Sequence, residues 1–217
     1  MGLTMQTLVS KSLRIGGAGL ALGMTLLAAG CGKSGGANAT VSANDMAEGS
    51  PNAKITVVEY ASVACPICAL TNQQIMPAFK AKYVDTGKVR YVYRPMMTGN
   101  AAVATAGHLL AQCAGKDKFF HVVDAIMRSQ EKMGGEQTGY ANAKPVLTDI
   151  AQSAGLSEQQ FDACVNDPKG IEALNDMNNK ARDAGVDATP TFFVNGKRME
   201  QPRDISDFDK TLQPLLK

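Results

Sequence analysis

The sequence predicts an α/β fold whose sheet is split in sequence by a long helical block. Three observations carry this. Lys54 to Tyr60 (KITVVEY) is a β-branched, largely apolar run of strand length, and Lys88 to Arg94 (KVRYVYR) alternates as a second strand should. Helical patterns then dominate from Ala101 to about Ala184. Finally, Thr191 to Val194, Asn195-Gly196 and Lys197 to Glu200 form a hairpin signal, with Pro202 to Leu216 as a closing helix. A βαβ unit separated from a β-hairpin and helix by a run of helices is an α/β sheet domain with a helical insertion.

The chain opens with an address. The only charges in residues 1–30 are Lys11 and Arg14, followed by an apolar, small-residue run from Ile15 to Ala29. A basic start, a short apolar run and small residues ahead of Cys31 read as a signal peptide over residues 1–30, too short for a comfortable membrane span. Leu27-Ala28-Ala29-Gly30-Cys31 resembles the lipobox of bacterial lipoproteins, in which the Cys takes a diacylglyceryl thioether and becomes the N-terminus. The pattern departs at Ala28, where that family prefers Leu. Cleavage near Ala29 without lipid, leaving a free thiol at Cys31, is the alternative. Residues 31–45 are small, polar and free of aromatics, and read as a flexible tether. Its ~13 polar residues would reach about 20 Å.

The remaining chain, residues 31–217, is formally neutral, because Lys11 and Arg14 supply the whole net charge of +2. That excludes a basic nucleic-acid binder and an acidic solvating tail. With 45% apolar residues, a mainly disordered chain is excluded too.

The elements of the domain follow in order. Gly49-Ser50-Pro51-Asn52 is turn chemistry ahead of the first strand. After Cys65-Pro66, a helix with Leu70, Ile75, Met76 and Phe79 on its apolar face is expected, kinked at Pro77. The block that follows divides into helices over 101–114, 119–128, 144–154, 157–165 and 170–184; Ser157 with Gln160 is a capping box.

The chemistry lies in the cysteines. Cys65-Pro66-Ile67-Cys68 follows a strand directly and opens a helix. In a βαβ context this is a thioredoxin-like redox motif. Two sulfurs three residues apart at a helix N-terminus can close a small disulfide ring, and the helix dipole and free N–H groups lower the pKa of the first. Pro66 falls where its missing N–H matters least. A c-type haem site would need His at position 69, which is Ala, and a zinc site would need a second paired motif, whereas Cys113 and Cys164 stand alone. A structural disulfide across the motif is the remaining bland reading.

Taken together, TVVEYASVACPIC and the later GVDATPTFFVNGK resemble a DsbA-type thiol:disulfide interchange protein of the thioredoxin superfamily, over residues 46–217. The resemblance implies a thioredoxin-like fold with a helical insertion domain at about 98–185. It also implies Cys65 as the exposed attacking cysteine and Cys68 as the buried resolving one. Thr189-Pro190 would be the cis-proline loop facing the disulfide, whose backbone can bond an extended substrate strand. Glu59, six residues before Cys65, takes the place of the family's buried acid, able to exchange a proton with Cys68. Ile67 departs from the His of the best-known oxidases, so Cys65 should be less acidic and the disulfide less oxidising than in CPHC relatives. Cys113 and Cys164 both fall in the insertion; in an oxidising compartment they most simply pair, and some relatives carry a second disulfide there. His108 and His121 are expected to be surface or satisfied core residues, and Met96-Met97 core filling.

These expectations converge on a periplasmic dithiol oxidase, an enzyme without metal or organic cofactor. Its partners would be unfolded or partly folded secreted proteins and a DsbB-type membrane protein that re-oxidises it. It would be monomeric, without nucleic acid, and tethered to a membrane through Cys31 or else soluble in the periplasm. A reductase of the same fold, or a thioredoxin-fold copper chaperone, are the alternatives. An isomerase is disfavoured, since residues 31–45 are too short for a dimerisation module.

Overall fold

A computed structural model describes residues 40–43, 45–135 and 138–217. The expected signal peptide, Cys31 and most of the tether lie outside the described residues. The sheet has five strands: β1 (Met46–Glu48), β2 (Ile55–Ala61), β3 (Val89–Pro95), β4 (Thr191–Val194) and β5 (Lys197–Met199), in the order β1-β3-β2-β4-β5. β2 and β3 run parallel, and all other pairs are antiparallel. β1 was not foreseen. Three residues have too little periodicity to announce a strand, and this one exists by pairing Met46 with Tyr93.

The crossover between β2 and β3 is α1 (Pro66–Gln74), the single turn α2 (Met76–Phe79) and a π-helical turn over Lys80–Val84. α1 stops at Ile75 because Pro77 has no N–H with which to continue the ladder. Among the described residues, five α-helices separate β3 from β4: α3 (Ala101–Cys113), α4 (Lys116–Arg128), α5 (Ala143–Ser153), α6 (Glu158–Val165) and α7 (Pro168–Asp183). The capping box at Ser157 and Gln160 is formed. After the β4–β5 hairpin, α8 (Ile205–Leu212) and a 3-10 turn close the chain.

Period-2 alternation along β2 sorts its side chains to two cores. Val57 joins a large core with Phe79, Tyr91, Tyr93, Phe119, Phe192 and Phe208. Val58 and Tyr60 join a smaller one with Val92, Met96, Ala181 and Phe193. Met96 therefore fills core, as expected. Leu70 is corrected: it is 49% exposed on α1 rather than part of the buried face, because Cys68, Ala69 and Thr71 take the contacts with the protein. The end of the expected tether is also corrected. Arg94 donates to the Thr40 carbonyl at 2.7 Å and forms two bonds to the Asp45 carboxylate, so the fold already holds the chain there. Among the described residues, no helix is long and apolar enough to cross a membrane.

Candidate active site

The site assembles where β2 ends. β2 delivers the backbone to Ser62, and Cys65 becomes the N-cap of α1, with extended φ of −88° and ψ of 121°. Its Sγ accepts a hydrogen bond from the Cys68 N–H at 3.3 Å, the use to which an N-cap side chain is normally put. Facing it, the Cys65 thiol lies 3.5 Å from the Thr189 carbonyl oxygen, and the Thr189–Pro190 peptide is cis. Cys65 is 7% exposed and Cys68 is fully buried. Only Cys65 can thus meet another molecule, though far less openly than an exposed cysteine would, because the Thr189 loop covers it.

The two sulfurs differ sharply in acidity. A hydrogen bond from Cys68 brings the Cys65 pKa down to about 6 against the opposing effect of burial, with Thr189 and the Cys68 and Ile67 N–H groups adding to it. Burial pushes the Cys68 thiol well above the ordinary 9.0, and its bond to Cys65 adds to this. Both sulfurs are free thiols here.

Glu59 is 3% exposed on β2. Burial raises its pKa to about 7, against the pull of the Tyr91 hydroxyl, which donates to Oε2 at 2.5 Å, and of Lys80. Tyr91 escaped the sequence reading. The strand pattern of β3 announces an inward side chain at that position but not which group it would meet across the register.

Other unforeseen residues hold the loop between β2 and α1. Ser62 Oγ donates to the Thr98 carbonyl at 2.7 Å and accepts from Ala64 N at 3.2 Å. Gln130, from the segment after α4, donates from Nε2 to the carbonyls of Val63 and Cys65 at 2.7 and 3.2 Å. Gly99 lies so close to this loop that a Cβ would stand 2.4 Å from the Ala64 carbonyl oxygen, and its φ is +76°. Only glycine meets both demands.

Pro66 and Ile67 are exposed, and Ile67, Leu70, Thr71 and Gln74 line a groove of about 320 Å³ closed opposite by Gln201, Pro202 and Arg203. Away from the site, Cys113 and Cys164 are joined by a disulfide that ties α3 to α6. His121 is exposed, and His108 is buried, with the Met96 carbonyl as its polar neighbour and no side-chain hydrogen bond to either ring nitrogen. Burial depresses its pKa to about 3, opposed by the nearby Met96 carbonyl, and keeps it neutral. No group of three His, Cys, Asp or Glu side chains suited to a metal occurs among the described residues.

Comparison with known proteins identifies the family and the fold. The family model described as Thioredoxin matches residues 41–214. A Rickettsia typhi protein that carries the name protein-disulfide oxidoreductase is 37% identical over 160 residues, or 72% of this chain and 57% of the relative. The chain spans between 54% and 62% of the length of the rickettsial relatives it matches. Disulfide bond formation protein D of Bacillus subtilis is 26% identical over 83% of this chain and 86% of its own length. The crystal structure of Wolbachia pipientis alpha-DsbA1 superposes with a TM-score of 0.72 at 25% identity, covering 81% of this chain and 92% of that one. The chain belongs to the thioredoxin superfamily, and it is of the DsbA type.

Proposed function

We propose that this protein is a thiol:disulfide oxidoreductase that oxidises cysteine pairs in secreted proteins as they fold. The observation that carries the reading is the split between the two sulfurs: Cys65 sits at a helix N-terminus with a pKa of about 6, while Cys68 is buried and far less acidic. In the disulfide form, a substrate thiolate attacks Cys65 Sγ, the more accessible sulfur of the pair. The Cys65–Cys68 bond breaks, its electron pair goes to Cys68, and Cys68 takes a proton. A second substrate thiolate then attacks the substrate sulfur of the mixed disulfide, and Cys65 leaves as a thiolate. Two electrons have moved from the substrate to the protein.

Glu59 suits the proton step, since a carboxyl with a pKa near 7 can give or take a proton at neutral pH. The Thr189 backbone can bond an extended strand laid across Cys65, and the Ile67–Leu70 groove offers an apolar seat beside it. The names of the Rickettsia and Bacillus relatives support disulfide chemistry. Residues 1–30 and Cys31 support export to the periplasm and a lipid tether, which would keep the protein near a membrane re-oxidising partner of the DsbB type. A copper chaperone is the alternative reading: Met96 lies in the core on the opposite sheet face from the two sulfurs, whereas Met97 packs against the cluster that holds them.

The test is the equilibrium reduction potential of Cys65–Cys68 against glutathione. A value between about −120 and −180 mV is expected for a protein that gives disulfides away. A value near −270 mV would make it a reductase instead.

A further inference from the structure

The sheet face that carries Glu59 holds one more buried polar group than the exchange described above uses. Glu59 and Tyr93 are register partners on the parallel strands β2 and β3, so their side chains leave the same face side by side. Tyr91, two residues earlier on β3, gives its O–H to Glu59. Tyr93 is 2% exposed, and its hydroxyl has no hydrogen-bond partner among the described residues. Buried phenol hydroxyls normally find one. The Tyr93 ring is held edge-on to Phe119 at 5.7 Å and tilted to His108 at 5.9 Å, within the same packed cluster as Cys65 and Cys68. Burial and, after it, negative charge on Cys68, Glu59 and Cys65 raise the pKa of this phenol, so all three lie within electrostatic range of it while none is in hydrogen-bond contact with it.

In the reduced protein the Cys68 sulfur is a neutral thiol and makes little demand for a donor. The demand arises when Cys68 becomes the leaving group. We propose that the Tyr93 O–H is the donor to which the departing Cys68 sulfur turns, holding it beside Glu59 until the carboxyl proton arrives. The inference rests on the disulfide-exchange reading above and deepens it. The incoming thiolate bonds to Cys65 Sγ as the Cys65–Cys68 bond breaks, and that bond's electron pair stays on Cys68. Tyr93 keeps its proton throughout. The proton that neutralises Cys68 comes from Glu59, and the carboxylate left behind keeps its bond from Tyr91, with Lys80 nearby.

The titratable groups around this point are few. α1 brings Cys65 and Cys68, and β3 brings Tyr91 beside Tyr93. β1 brings Glu48, paired at 2.6 Å with Lys80, whose ammonium lies 5.5 Å from the Tyr91 ring centroid. α3 brings His108, which stays neutral, so the pH profile of the step belongs to the two sulfurs and Glu59.

The variant Tyr93→Phe removes the hydroxyl and keeps the ring. Attack of reduced glutathione on the oxidised protein should slow about ten-fold, the scale of one hydrogen bond to a charged group. In a Cys65→Ser background, titration of the Cys68 thiol should move to higher pH when Tyr93→Phe is added. Melting of the oxidised protein should be unchanged or higher, because an unsatisfied buried hydroxyl has been removed. Unless both the rate and the Cys68 titration move in these directions, the proposal is overturned. A lower melting temperature with an unchanged rate would make Tyr93 a purely structural residue. If the unmodified protein exchanges with no thiol at all, the exchange reading itself fails, and that is seen before any variant is made.

Discussion

Thr98 Oγ1 and Thr189 Oγ1 lie 2.5 Å apart, although 91 residues of chain separate them. Thr98 belongs to the connection from β3 into the helical block, and Thr189 to the loop that faces Cys65. Through Ser62 Oγ, Thr98 is also bonded to the backbone that leads into Cys65. One hydroxyl pair thus joins both sides of the site. Replacing Thr98 by Val keeps the shape and removes the bond, and should cost about 1 kcal/mol in denaturant unfolding. Replacing Thr189 by Val should raise the Cys65 pKa above 6, since that side chain helps to lower it. Thiolate absorbance against pH measures the second effect.

Ile67 is 47% exposed and contributes only its backbone N–H to the Cys65 sulfur. The Cys65 pKa of about 6 is accordingly well above the value of about 3.5 that marks the most oxidising members of the family. The substitution Ile67→His adds a group able to carry positive charge beside the thiolate. The Cys65 pKa should fall. Because the thiolate belongs to the reduced form, each unit of that fall should make the disulfide more oxidising by about 30 mV. An unchanged potential would mean that position 67 is too far from the sulfur to act on it.

Glu59 carries a pH signature of its own. The unfolded side chain ionises near 4.5 and the folded one near 7, so between these values the native state holds a proton the unfolded chain has lost. Its contribution to stability is present below pH 4.5 and disappears as the pH rises through 7. The full decline is roughly 3 kcal/mol at most. In Glu59→Gln this decline should be missing from a plot of unfolding free energy against pH. The same variant should slow the exchange step in which Cys68 needs a proton.

The disulfide between Cys113 and Cys164 closes a loop with a sequence separation of 51 and lies outside the exchange site. On the chain-entropy account, such a bridge contributes about 4 kcal/mol. Cys113→Ala should therefore lower the melting temperature under non-reducing conditions and leave the thiol-exchange rate unchanged. Loss of exchange with unaltered melting would make the pair part of the redox chemistry.

Local pattern was enough for much of this protein. β2 announces itself by its β-branched apolar run, β3 by alternation and the β4–β5 hairpin by Asn195-Gly196, because these signals depend only on near neighbours along the chain. The cysteine pair at the start of α1 is equally local: the strand, the spacing and Pro66 specify a sulfur at a helix N-cap. What the chain does not announce is everything that depends on register and on approach through space. Tyr91 and Tyr93 read as two inward residues of one strand. Only the parallel pairing of β3 with β2 brings one onto Glu59 and leaves the other as the register partner of Glu59 with its hydroxyl unpartnered among the described residues. Leu70 looks like core by its spacing, yet the helix turns it to the groove. Thr98, Gln130 and Gly99 carry no motif, and matter because the helical block folds back onto the loop before Cys65. The placement of the two sulfurs at a helix N-terminus is therefore local chemistry. Their unequal acidity is a tertiary property, because desolvation and opposing hydrogen bonds exist only once distant segments have packed around them.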